Sequence, residues 1–138
     1  MDLLVNIDVD DLEKAVSFYE SGLGLTPRRR LGGQAREMLG ASSPVYLLQN
    51  RAGSPPFEAA TAGRQYGRHW TPVHLDLSVE DLETAVARAL AAGGRLEGRI
   101  EQRGWGRMAR MADPFGHGFC LLQFQGRGYD EVADPPRQ

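Results

Sequence analysis

Val9-Asp10-Asp11-Leu12-Glu13-Lys14-Ala15-Val16 returns 70 residues later as Val79-Glu80-Asp81-Leu82-Glu83-Thr84-Ala85-Val86, with six of the eight positions identical. Working outward, Gly24 falls on Gly94 and Arg29 on Arg99 at the same offset. A second echo sets Tyr46-Leu47-Leu48-Gln49 against Cys120-Leu121-Leu122-Gln123, now 74 residues apart. Two echoes in the same order mark an internal repeat. The chain therefore divides into modules at about 1–50 and 72–126. Residues 51–71 form a connector rich in Pro, Gly and Ala, and 127–138 form a polar tail.

Each module opens on alternation of period two, which suits a half-buried strand. Val5, Ile7 and Val9 lie on one face and Leu4, Asn6 and Asp8 on the other. Leu75, Leu77 and Val79 alternate in the same way with His74, Asp76 and Ser78. Carboxylates at Asp10, Asp11, Glu80 and Asp81 then suit helix N-termini. Leu12, Val16 and Tyr19, like Leu82, Val86 and Ala89, give each helix one apolar stripe. Gly22 and Gly24, then Gly93 and Gly94, supply the stops. Asp113-Pro114-Phe115-Gly116 reads as a tight turn before a final strand, Phe119–Phe124. The pattern predicts an α+β fold of two βαβββ modules forming a curved mixed sheet, with helices outside and a concave cleft inside. The alternation puts Asn6, His74 and Asp76 on the cleft face, while Leu75 and Leu77 turn under the helix. Trp70 and Trp105, in or beside loops, could form a rim for a flat organic ligand.

Composition narrows the function classes. The chain has 138 residues, with 16 basic and 18 acidic side chains and a net charge of −2. It lacks the basic excess of a nucleic-acid binder. Hydrophobic residues at 41% and charged residues at 25% fit a globular domain rather than a disordered chain. A single cysteine, Cys120, excludes an intrachain disulfide. No apolar run approaches the roughly 20 residues that span a bilayer, and the start lacks a signal-type pattern. The expectation is a cytoplasmic protein with neither nucleic-acid nor membrane partners. Unpaired sheet edges favour a homodimer.

The Val-x-Asp-Leu-x-x-Ala-Val helix entry, the paired modules and Asp113-Pro114-Phe115-Gly116-His117-Gly118-Phe119-Cys120-Leu121 together resemble the vicinal oxygen chelate superfamily, in its glyoxalase-like branch. That superfamily includes glyoxalase I, extradiol dioxygenases, fosfomycin-resistance transferases and bleomycin-resistance proteins. The resemblance implies four metal-ligand positions in the cleft, which fall here on Leu4, Tyr46, His74 and Cys120. Leu4 has no donor atom and a neutral Tyr46 is a poor ligand, so the expectation is no metal and no cofactor. The implied function is metal-independent binding of an organic small molecule, aromatic ones included, with Asn6, Tyr46, Trp70, His74, Asp76, Trp105 and Cys120 as contacts. The alternatives are a lyase or isomerase using His74 and Asp76 as acid–base groups, and a divergent metal-dependent enzyme.

Overall fold

A computed structural model describes residues 1–137, so Gln138 at the end of the tail lies outside the described residues. The first module runs β1 (Val5–Val9), α1 (Leu12–Ser17), a π-helical turn (Phe18–Gly22), β2 (Thr26–Arg30), β3 (Ala35–Leu39) and β4 (Val45–Gln49). The second runs β5 (Leu75–Ser78), α2 (Leu82–Ala91), β6 (Arg95–Leu96), β7 (Glu101–Arg103), β8 (Gly106–Ala112) and β9 (Gly118–Phe124). The fold is α+β and each module is βαβββ, with the second strand of the second module split into β6 and β7, which both pair with β8. Each module keeps its own mixed sheet, in the orders β1-β4-β3-β2 and β5-β9-β8-β6.

The repeated residues have a shared structural task. Asp11 accepts from Lys14 N at 3.1 Å, and Asp81 from Thr84 N at 3.1 Å. Gln49 Oε1 accepts from Leu12 N at 2.8 Å, and Gln123 Oε1 from Leu82 N at 2.8 Å. Each helix thus begins with two of its unsatisfied N–H groups taken, one by the Asp before it and one by the glutamine ending its sheet. Both the helix-entry echo and the strand-end echo record this double cap.

Leu82, Val86 and Ala89 are buried as their spacing predicts. The stripe of α1 is displaced: Ala15, Phe18 and Tyr19 are buried, while Leu12 and Val16 are only partly covered. The π-helical turn after Ser17 turns Phe18 inward, where its ring meets Phe119 of the other module at 6.4 Å between centroids. The same turn packs on α2, and a Cβ at Gly22 would meet Ala92 Cβ at 3.0 Å, so the glycine permits this close approach.

The Asp113 turn is the second lock between modules. Asp113 is buried; its Oδ1 accepts from Phe115 N at 2.8 Å and His117 N at 2.9 Å, and its Oδ2 from Tyr19 OH at 2.7 Å. Burial, then the Asp113 charge, pushes the Tyr19 hydroxyl well above its usual pKa, so it stays a donor. Gly116 closes the turn at φ +85°, and a Cβ there would lie 2.4 Å from Tyr66 O. The connector is pinned rather than free. Arg64 Nε reaches Asp8 Oδ2 at 2.7 Å, and Arg68 makes two bonds of 2.6 Å to Glu97.

In the tail, a short 3-10 turn (Gly128–Glu131) sets Tyr129 against Trp105 and Phe124. No helix of the described residues is long and apolar enough to cross a membrane.

Candidate functional site

Each sheet has one face under its helix and one open face, and the register sets what the open face carries. Asn6, Tyr46 and Glu37 form a row across β1, β4 and β3. Asp76, Cys120 and Arg110 form the matching row across β5, β9 and β8. Arg29 binds Glu37 through two bonds, 3.0 and 2.6 Å, and Tyr46 OH donates to the same carboxylate at 3.0 Å. The Arg29 hydrogen bonds, with Tyr46 adding to them, lower the Glu37 pKa to about 2 against the opposing effect of burial. In the second module Arg110 pairs with Glu101 at 3.3 Å. The two rows are thus related with charge inverted: acid on β3 and base on β2, but base on β8 and acid on β7.

His74 Nε2 lies 3.2 Å from Asp76 Oδ1, and donor atoms of His74, Asp76 and Cys120 all fall within 4.8 Å of one another. Burial, then the Asp76 charge, pushes the Cys120 thiol up to about 11, so it is protonated at neutral pH.

A pocket of about 490 Å³ lies between the outer edge of β1 and the start of β5. Its walls are apolar, from Val5, Ile7, Val73, Leu75 and Phe119, while Asn6, Asp8, His69, His74 and His117 bring polar groups. Leu75, expected under α2, is exposed and lines this pocket instead, because β5 is an edge strand and its first residue reaches the gap between modules. Edge geometry also explains why residues of both faces of β1 reach the pocket. In a parallel pair, alternate residues direct their backbone groups to the partner. Val5 N donates to Pro44 O and Val9 O accepts from Asn50 N, so Asn6 and Asp8 turn their backbone groups outward.

The glyoxalase-like domain family model matches residues 4–122. The chain belongs to the glyoxalase-like domain family. It is 30% identical over 130 residues to anthracycline biosynthesis protein DauV of Streptomyces sp. (strain C5), covering 94% of this chain and 43% of DauV. The chain therefore spans less than half the length of that relative. Among solved structures it resembles a glyoxalase-related enzyme from Fulvimarina pelagi (TM-score 0.71, 19% identity, 89% of this chain and 87% of that one). It also resembles the fosfomycin resistance protein FosX from Listeria monocytogenes (TM-score 0.70, 18% identity, 95% and 96%). These structural likenesses show the shared fold.

Against that family, the four ligand positions implied by the resemblance do not fit a shared metal centre. Leu4 is exposed and has no donor, and Tyr46 spends its hydroxyl proton on Glu37. Only the second module offers donors, His74, Asp76 and Cys120, and of these only His74 and Cys120 fall on the implied positions.

The sequence-predicted contacts do not converge on one place. Asn6 and His74 line the pocket, and Trp70 stands edge-on to His74 at 5.5 Å between centroids, with Arg68 over its ring at 4.5 Å. Asp76 and Cys120 adjoin His74 on the open face of the second sheet. Tyr46 is engaged on the first sheet. Trp105 lies at the far end, beside Phe124 at 5.6 Å, five residues or about 16 Å along β9 from Phe119. Its place there follows from the β7–β8 hairpin, where Arg103 pairs with Gly106 and leaves Trp105 at the tip. Asp8, expected on the cleft face, gives its carboxylate to Arg64 and Asn50. In sequence, His69 and His117 read only as structural or solvated loop histidines, and Glu37 and Arg110 drew no reading. His117 lay within the recognised turn, whereas Glu37 and Arg110 emerge only from strand register.

Proposed function

We propose that this glyoxalase-like chain binds an organic small molecule in the pocket between β1 and β5, with no metal required. The observation that carries the reading is an apolar-walled pocket of small-molecule size lined by His74, whose ring lies 3.2 Å from the Asp76 carboxylate beside it. Membership of a family whose relatives include proteins named for anthracycline biosynthesis and fosfomycin resistance favours an organic ligand. The free outer edges of β1 and β5 and the exposed Leu4 and Val73 favour a homodimer in which a second copy covers these edges.

Trp70 reports on the pocket and Trp105 does not, so Trp105→Phe leaves one fluorescent probe at the site. Titration of that variant with a panel of aromatic natural products should give saturable quenching that chelator leaves unchanged. His74→Ala and Asp76→Asn should each weaken it by about tenfold, the effect of one hydrogen bond to a charged or polar anchor. Absence of saturable quenching across the panel, or its loss on chelation, would sink the reading. The 3.2 Å His74–Asp76 pair favours one second reading, acid–base turnover of the bound molecule. Metal-independent product formation, abolished in both variants, would establish it.

A further inference from the structure

Taking that pocket as the binding site, we infer that its ligand is a neutral, hydroxylated ring compound, held by its O–H groups on histidines. All three histidines of the chain line this one pocket, and for two of them a hydrogen bond defines which nitrogen carries the proton. His117 Nε2 meets Asp8 O at 2.6 Å, and His69 Nδ1 meets Gly67 O at 2.8 Å. A carbonyl oxygen can only accept, so these nitrogens are N–H donors. His74 Nε2 lies 3.2 Å from Asp76 Oδ1, an ion-pair contact that does not fix where the ring proton sits. In the neutral rings His117 Nδ1 and His69 Nε2 are then lone-pair acceptors, and neither has a partner among the described residues. The Thr71 hydroxyl proton is already spent on Val73 O.

The charges exclude the other ligand classes. No lysine or arginine is among the described residues lining the pocket, so with the imidazoles neutral an anion has no counter-charge there. The one lining carboxylate, Asp8, is held by Arg64 and Asn50, so an organic cation has none either. Val5, Ile7, Leu75 and the rings of Tyr19 and Phe119 suit an apolar body. What remains is an apolar ring system that brings donors to an acceptor-rich rim. His69 and His117 thereby join His74 as specificity-determining residues.

The test uses the full chain and three probes: a dihydroxynaphthalene, its dimethyl ether and the matching dicarboxylate. Amide shifts at Asn6, Leu75 and Phe119 in two-dimensional NMR locate the bound probe. The dihydroxy compound should bind at least tenfold more tightly than either of the others, since methylation removes the donors and keeps the rings. His69→Phe and His117→Phe should each weaken the dihydroxy compound several-fold and leave the ether unchanged. His69 is exposed on the connector, so His69→Phe decides the question where His117→Phe fails to fold. Equal binding of the ether, tighter binding of the dicarboxylate, or indifference to His69→Phe would overturn the inference. Should none of the three bind while other compounds quench Trp70, the ligand class is wrong and the pocket stands. If no compound quenches Trp70, the pocket reading itself falls.

Discussion

Glu37 shows how much a single side chain depends on its neighbours. Its carboxyl pKa falls from 4.5 to about 2 because Arg29, then Tyr46, bond the ionised form. A depressed acid pKa contributes stability above the unfolded value, and that stability is lost as pH falls through the folded value. Acid titration of folding should therefore show a contribution disappearing between about 4.5 and 2 that Glu37→Gln removes. An unchanged acid limb in that variant would show that the pair is solvated and inert. At Cys120 the environment acts in the other direction, keeping a proton on the thiol. With Leu4 and Tyr46 also unable to ligate, purified protein should carry far less than one transition metal per chain. Elemental analysis finding about one zinc, iron or manganese per chain, lost on His74→Ala, would reverse that expectation.

At the scale of elements, the helices depend on strand ends far away in sequence. Gln123, next to last in β9, caps Leu82 N, and Gln49, last in β4, caps Leu12 N. Replacing either glutamine by alanine leaves a helix N–H without its side-chain acceptor. Each should cost about 0.5–2 kcal/mol in urea denaturation, the range for a lost N-cap. Gln123 Oε1 also accepts from Arg107 at 3.0 Å, so Gln123→Ala should be the costlier of the two. No change in the denaturation midpoint would assign the echo to another role. The helix entries were legible because the Asp caps and the stripes are local, within three or four positions, whereas the glutamine caps lie 37 and 41 residues from their helices and showed only as an echo. The displaced stripe of α1 was not, because Phe18 turns inward to meet Phe119, 101 residues away, and that partner is invisible to periodicity.

For the whole molecule, the joint between modules is built from the Phe18–Phe119 contact, the helix approach at Gly22 and the Tyr19–Asp113 bond. Tyr19→Phe keeps the ring and deletes only the hydroxyl, leaving one buried acceptor of Asp113 unpaired. It should cost about 1.5–3 kcal/mol of folding stability, the scale of a hydrogen bond to a carboxylate. Calorimetry showing no loss would mean that water replaces the hydroxyl. The edges of β1 and β5 pair with no further strand among the described residues. Sedimentation at micromolar concentration should therefore report twice the 15.2 kDa chain mass. A monomer would leave those edges to be protected in another way.

The sequence alone determined the repeat, the α+β class, the βαβββ order and the polar strand positions at Asn6, His74 and Asp76. Each of these rests on short-range physics: alternation along a strand, helical spacing, capping and turn chemistry. Only the tertiary structure decided which of those residues share a site. Strand register set Glu37 beside Tyr46 and Arg110 beside Cys120, and no local pattern encodes which strand lies next to which. The packing of two modules opened a gap between β1 and β5, drew Leu75 into it and gathered three histidines around it, from the connector, the position before β5 and the turn. Trp105 went instead to Tyr129 in the tail, because a hairpin tip follows its own strands and not the pocket that its chemistry would suit.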